Sequence, residues 1–238
     1  MSSDALRGVS CIIPAYNEQI RIAPVVQTAL AHPLIAEVIV VNDGSTDATG
    51  TVLASIEGIS VVTHDRNLGK SRALASALEV ATHPYVLFLD ADLRGLASEH
   101  ITALITPVLE GNADASISLR GHTLRVWRWL GLDYLSGERS FDRRILAGRL
   151  DEIRALPRFG FEVYLNDLWI ARRYRVAIVP LEGLESPLKF AKYGFAQGVR
   201  SDVLMLRDLL RTRSFIGLAR QILALRRLRV RPRPGAPT

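Results

Sequence analysis

The chain has 238 residues, 48% of them hydrophobic and 23% charged, a composition that fits one large packed domain, alone or with a short appendage, and excludes disorder or a small stapled scaffold. Its single cysteine, Cys11, excludes an internal disulfide and a cysteine-based zinc site and points to a reducing compartment. The net charge of +6 is unevenly placed: Arg207 to Thr238 holds nine arginines against Asp208 alone, so residues 1–206 sum to −2 and the basic character belongs to the tail.

In chain order, apolar β-branched runs alternate with segments of helical period. Strands are expected at Val9 to Pro14, Glu37 to Asn42, Ile59 to Thr63, Tyr85 to Leu89 and Ala113 to Leu119. Helices are expected between them, at Ile20 to Ala31, Asp47 to Ile56, Ser71 to Ala81 and Ser98 to Leu109. This alternation predicts an α/β fold, an open, mostly parallel sheet with helices on both sides. The runs CIIP, VIVV and YVLFL are continuous enough in apolar residues to be buried on both faces. The pattern breaks at Gly121, and one more strand follows at Arg175 to Pro180. The expected division is a main domain over 1–206, with a ligand half at 9–120 and an added half at 121–206, then a basic amphipathic helix over 207–230. RPRPGAPT, at 231–238, is expected to be disordered. Met1 to Gly8 lacks the apolar stretch of a signal peptide, and no run reaches the roughly 18 uncharged apolar residues of a membrane span, so the expected location is cytoplasmic.

Ligands of such sheets sit beyond the carboxyl ends of the strands. Three of those ends are polar here: Pro14-Ala15-Tyr16-Asn17-Glu18, Asn42-Asp43-Gly44-Ser45-Thr46-Asp47, and Asp90-Ala91-Asp92. If the chain stays extended past Leu89, Asp90 and Asp92 share one face, where a hard divalent cation such as Mg²⁺ or Mn²⁺ is the natural counter-charge. Asp43 fits two readings, a turn with a helix cap or a contact to a nucleobase or ribose. Asn67-Leu68-Gly69-Lys70-Ser71 opens a helix and can hold a phosphate, although the P-loop spacing is absent.

CIIPAYNE, VIVVNDGSTD, DRNLGKSRAL and VLFLDADL, in this order, resemble the nucleotide-binding half of the family 2 glycosyltransferases, which have the glycosyltransferase A fold. Ser136-Gly137-Glu138-Arg139 extends the likeness toward relatives that glycosylate polyprenyl or dolichyl phosphates or small acids. The resemblance implies a metal-dependent, inverting transfer of one sugar from a UDP- or GDP-linked donor. It implies that Pro14, Tyr16 and Glu18 line the nucleoside pocket, that Asp43 contacts the base or ribose, and that Lys70 lies near the diphosphate. Asp92 then binds the metal, with Asp90 contacting metal, sugar or ribose.

Arg139 is the residue of that segment expected to meet an acceptor phosphate, because guanidinium matches phosphate geometry. Where many relatives carry a Glu-Asp pair as general base, this chain has Glu162 alone, in Gly160-Phe161-Glu162-Val163. A hydroxyl acceptor needs a base and a phosphate does not, so a phosphate-bearing acceptor is expected, either polyprenyl phosphate or a soluble acid such as phosphoglycerate. A non-catalytic nucleotide-sugar-binding protein is the alternative of another class. The QxxRW element of processive polysaccharide synthases is missing, which argues against long-chain synthesis. The five histidines, His32, His64, His83, His100 and His122, are expected at the surface or at helix ends. The arginine-rich segment Ser214 to Leu228 either lies on an anionic membrane or docks its apolar face on the protein. Nucleic acid is not expected, since no aromatic platform accompanies the arginines.

Overall fold

The computed structural model describes residues 8–120, 134, 136–157, 160–185 and 215–230. Their strands are β1 (Val9–Ala15), β2 (Ile35–Asn42), β3 (Ile59–Thr63), β4 (Tyr85–Phe88), β5 (Ala115–Arg120), β6 (Arg139–Asp142), β7 (Val176–Leu181) and β8 (Arg229–Val230). Their helices are α1 (Ile22–Leu30), α2 (Thr49–Ala54), α3 (Lys70–Val80), α4 (Ser98–Leu109), α5 (Leu150–Ala155), α6 (Phe161–Ala171) and α7 (Phe215–Arg227). All strands join one sheet, in the order β3-β2-β1-β4-β6-β5-β7-β8. Every pairing is parallel except the two made by β6, which runs antiparallel between β4 and β5. The sheet is the expected open, mostly parallel one, and the six strands read from the sequence lie within two residues of their expected bounds.

β1 shows why its apolar run is continuous. Ile12 packs into a core with α3 and α6, while Cys11 and Ile13 pack on the other face with α1 and α4. All three are fully buried, the two isoleucines contributing roughly 1.5–3 kcal/mol each. The Cys11 thiol has its pKa pushed far up by burial. It is therefore expected to ignore an aromatic disulfide reagent in the native protein and to react stoichiometrically in denaturant, which absorbance of the released thiolate measures.

The structure changes one expectation, adds a strand and favours one of the two alternatives for the tail helix. β4 ends at Phe88 and Ala91-Asp92 form a turn, so period-two alternation does not carry through Asp92. β6 is not foreseen by sequence pattern, because Arg139-Ser140-Phe141-Asp142 has no apolar alternation of its own, yet its first three residues are buried. The tail docks on the protein. Gln221, Ile222 and Leu225 of α7 are buried, Gln221 Nε2 donates to Val163 O (3.1 Å) and Asp167 Oδ1 (2.6 Å), and β8 pairs with β7. Arg226, Arg227 and Arg229 stay exposed. No helix of the described residues is long and apolar enough to cross a membrane. His122 and the 231–238 segment lie outside the described residues.

Candidate active site

The strand order reverses direction between β1 and β4, so the carboxyl ends of β1, β2 and β4 open onto one crevice. The loops after β1 and β2 are laced together along its rim. Asn17 N donates to Ser45 Oγ (3.1 Å), Thr46 N to Asn17 Oδ1 (2.8 Å), Glu18 N to Thr49 Oγ1 (2.8 Å) and Ala48 N to Gln19 Oε1 (2.7 Å). Asn17 takes a left-handed conformation, φ 57°, which asparagine tolerates. Pro14 ends up half-buried near the end of β1 and Tyr16 is exposed. Glu18 is buried, with Arg21 Nη1 at 3.3 Å.

Asp43 is buried, 3% exposed, and its carboxylate works inside the protein. Oδ1 accepts from Leu68 N (2.9 Å) and faces His64 Nδ1 (2.8 Å), and Oδ2 accepts from Gly69 N (2.8 Å). A carboxylate offers about four lone-pair sites, so most of this one holds the loop that opens α3. A carboxylate at that end also complements the helix dipole. To the contact with base or ribose expected of Asp43 the structure adds this loop-holding role. The expectation for His64 is corrected. It is neither a surface nor a helix-end residue, since it bridges Asp43 and Ser76 Oγ (3.0 Å).

The turn at Gly44 permits this approach. Gly44 has φ +66°, and a Cβ there would sit 2.2 Å from the Arg66 carbonyl carbon and 2.5 Å from Asn67 N. Both are backbone atoms that cannot swing aside, so Gly44→Ala is expected to lower stability by more than about 2 kcal/mol in a urea titration.

With its loop fixed, Lys70 at the first turn of α3 reaches across the crevice. Nζ lies 2.7 Å from Asp90 Oδ1 and 2.9 Å from Glu162 Oε1, which sits in the first turn of α6. Burial opposes the charge on Lys70, but the two carboxylates outweigh it and hold the ammonium above the ordinary lysine range. Three residues read from separate motifs thus meet in one ion cluster, with Asp92 in the turn just after Asp90. The described residues contain no group of three or more histidine, cysteine or acidic side chains able to cage a metal. Two neighbouring carboxylates suit instead an ion that shares its coordination with a ligand's phosphates.

Arg139 is not in this cluster. It is 1% exposed, donates through Nη1 to Asn166 Oδ1 (2.6 Å), through Nε to Ser136 O (2.8 Å) and through Nη2 to Tyr134 O (3.0 Å), and lies 5.0 Å from the Trp169 ring centre. Its expected contact with an acceptor phosphate is corrected: the guanidinium is spent inside the protein, where it ties β6 to α6. Asn166, a residue that sequence motifs do not single out, shares the helix face of Glu162 by its i, i+4 spacing, the signal that could have found it.

A crevice at the switch point of an open parallel sheet, lined by acidic strand ends and one lysine, defines an α/β ligand-binding domain of the nucleotide-binding type. The model of the family described as "Glycosyl transferase family 2" matches residues 10–162, and the chain belongs to that family. An uncharacterized glycosyltransferase of Escherichia coli K12, YaiP, is 35% identical over 111 residues, 45% of this chain and 28% of its own length. The 4,4'-diaponeurosporenoate glycosyltransferase of Staphylococcus aureus is 35% identical over 104 residues, 42% of this chain. The matches span 28% of the length of these curated relatives. Among solved structures, glucosyl-3-phosphoglycerate synthase of Mycobacterium tuberculosis, in complex with Mn²⁺, uridine diphosphate and phosphoglyceric acid, superposes with a TM-score of 0.64 at 26% identity, covering 86% of this chain and 78% of that one. A further mycobacterial protein gives a TM-score of 0.69 at 24% identity, over 87% of this chain and 75% of that one. These solved chains share the glycosyltransferase A fold with this one.

Proposed function

We propose that this protein transfers one sugar from a nucleotide-sugar donor to a phosphate-bearing acceptor, a small phosphorylated acid in preference to a polyprenyl phosphate. The observation that carries the reading is the convergence of Asp90, Lys70 and Glu162 at the carboxyl edge of the sheet, beside Asp92. Two findings favour the small acid. The buried face of α7 is turned onto α6, and the solved relative holds phosphoglyceric acid.

Asp92 and Asp90 are the residues that would hold Mg²⁺ or Mn²⁺, which when bound supplies Lewis-acid neutralisation of the departing nucleoside diphosphate. Lys70 lends its ammonium to the same diphosphate, held in place by Glu162 on one side and by the Asp43-bound loop on the other. Pro14, Tyr16 and Glu18 shape the nucleoside pocket. An acceptor that attacks through a phosphate or carboxylate oxygen arrives as an anion and needs no deprotonation, so for it Glu162 serves by aiming Lys70; its oxygen bonds to the anomeric carbon from the face opposite the diphosphate, which leaves with its bonding electron pair, and the centre is inverted.

The test is to incubate the protein and Mn²⁺ with UDP-glucose or a GDP-linked sugar, and with 3-phosphoglycerate or a short polyprenyl phosphate, reading products by mass spectrometry. A glycosylated phosphoglycerate is the expected product. Product with polyprenyl phosphate alone would move the acceptor to lipid, and neither transfer nor donor hydrolysis with any pair would remove the transferase reading.

A further inference from the structure

Ser136, Gly137, Glu138 and Arg139 are buried as a unit, yet they touch the charged cluster at one point. A Cβ added to Gly137 would lie 2.5 Å from Asp90 Oδ1 and 2.7 Å from Lys70 Nζ, so the bare Cα packs directly on that ion pair. Both neighbours of Gly137 are clamped. Glu138 Oε2 accepts from Ser118 Oγ (2.7 Å) and Ser136 Oγ (2.6 Å), and Ser118 N donates to Glu138 O (3.1 Å). Arg139 Nε holds Ser136 O (2.8 Å) from the other side. The same guanidinium, through Asn166 and Trp169, holds the face of α6 that presents Glu162 to Lys70.

We propose that this segment is a positioning element for the donor site: Gly137 is the stop against which Lys70 and Asp90 are seated, and Glu138 and Arg139 are the buried clamps that fix the stop. The proposal rests on the reading of Lys70 and Asp90 as donor-binding groups. The atoms that an alanine would strike are the Asp90 carboxyl group, Oδ1 at 2.5 Å and Cγ at 2.8 Å, and the Lys70 ammonium at 2.7 Å, so side chains and not backbone must give way. Those are the groups on which donor binding depends.

The experiment compares Gly137→Ala with wild type by thermal unfolding, by calorimetric titration of UDP with Mn²⁺, and by a crystal structure. The expected result is a stability loss smaller than that of Lys70→Met, since Glu162 still faces the ammonium, a Lys70–Asp90 pair no longer within hydrogen-bond distance, and UDP affinity about tenfold weaker. Turnover should fall by about 10²-fold, the scale of a displacement near 1 Å in a reacting constellation. Asn166→Leu, which removes the acceptor for Arg139 without adding bulk at Gly137, should weaken UDP binding in the same direction and by less. A Gly137→Ala protein that keeps the wild-type Lys70–Asp90 separation overturns the proposal, and so does one that keeps wild-type UDP affinity with the pair displaced. If wild type itself binds neither UDP nor GDP, the donor reading fails, and the crystal structure alone decides whether Gly137 seats the pair.

Discussion

Asp92→Ala is expected to abolish the metal-dependent part of nucleotide binding and to lower turnover by about 10²–10³-fold. Asp92 is the second carboxylate of the Asp90-Ala91-Asp92 element and is the one expected to carry the added divalent ion, while Asp90 Oδ1 holds Lys70 at 2.7 Å. Asp92 sits in a turn and is half-buried. Titrating UDP and GDP with and without Mn²⁺ into both proteins reads the effect directly. A variant that retained metal-dependent binding and full turnover would move the metal site away from the Asp90-Asp92 turn.

Lys70→Met is expected to have the largest effect on stability at the site, because it leaves Asp90 and Glu162 facing each other without their shared cation. Breaking a fully buried pair costs about 3–5 kcal/mol, and the Asp90 end of this one is partly exposed, which reduces the figure to about 1–3 kcal/mol. The sign of the pH dependence follows from the direction of the Lys70 shift. Lys70 titrates above its unfolded value, so its contribution is complete below about pH 10.4 and is lost only as pH climbs through the higher folded value. The deficit of the variant is therefore full at neutral pH and shrinks only at strongly alkaline pH. Urea titrations of both proteins at pH 7 and pH 8 should show the same gap, since both lie well below the unfolded lysine value. Equal stability at pH 8 would mean that the cluster adds nothing to the fold.

Both predictions draw on residues that the amino-acid sequence marks out unaided, and the reason is local. Strand ends announce themselves, since an apolar β-branched run that stops at Pro14, Asn42 or Leu89 must deliver whatever polar residues follow to the edge of a buried sheet. Lys70 is legible in the same way, at the start of a helix after a glycine. Glu162 stands out in the sequence, whereas its partner does not, because residues 70 and 162 are joined only by the packing of α3 and α6 on one face of the sheet.

The roles of Asp43, His64 and Arg139 are beyond the sequence. A buried carboxylate holding a loop and an exposed one holding a nucleoside have the same local pattern, and the two are told apart only by where Leu68 N, Gly69 N and His64 end up. An arginine in a Ser-Gly-x-Arg element reads as a phosphate contact until β6 threads antiparallel between β4 and β5 and carries it into the interior. By itself the sequence determined the open α/β sheet, its parallel strands and the acidic edge, since these follow from periodicity and from the chain's own neighbours. Only the tertiary structure decided which charges meet, where the tail helix docks and what Gly137 touches, because each depends on contacts between segments far apart in the chain whose sequences carry no record of one another.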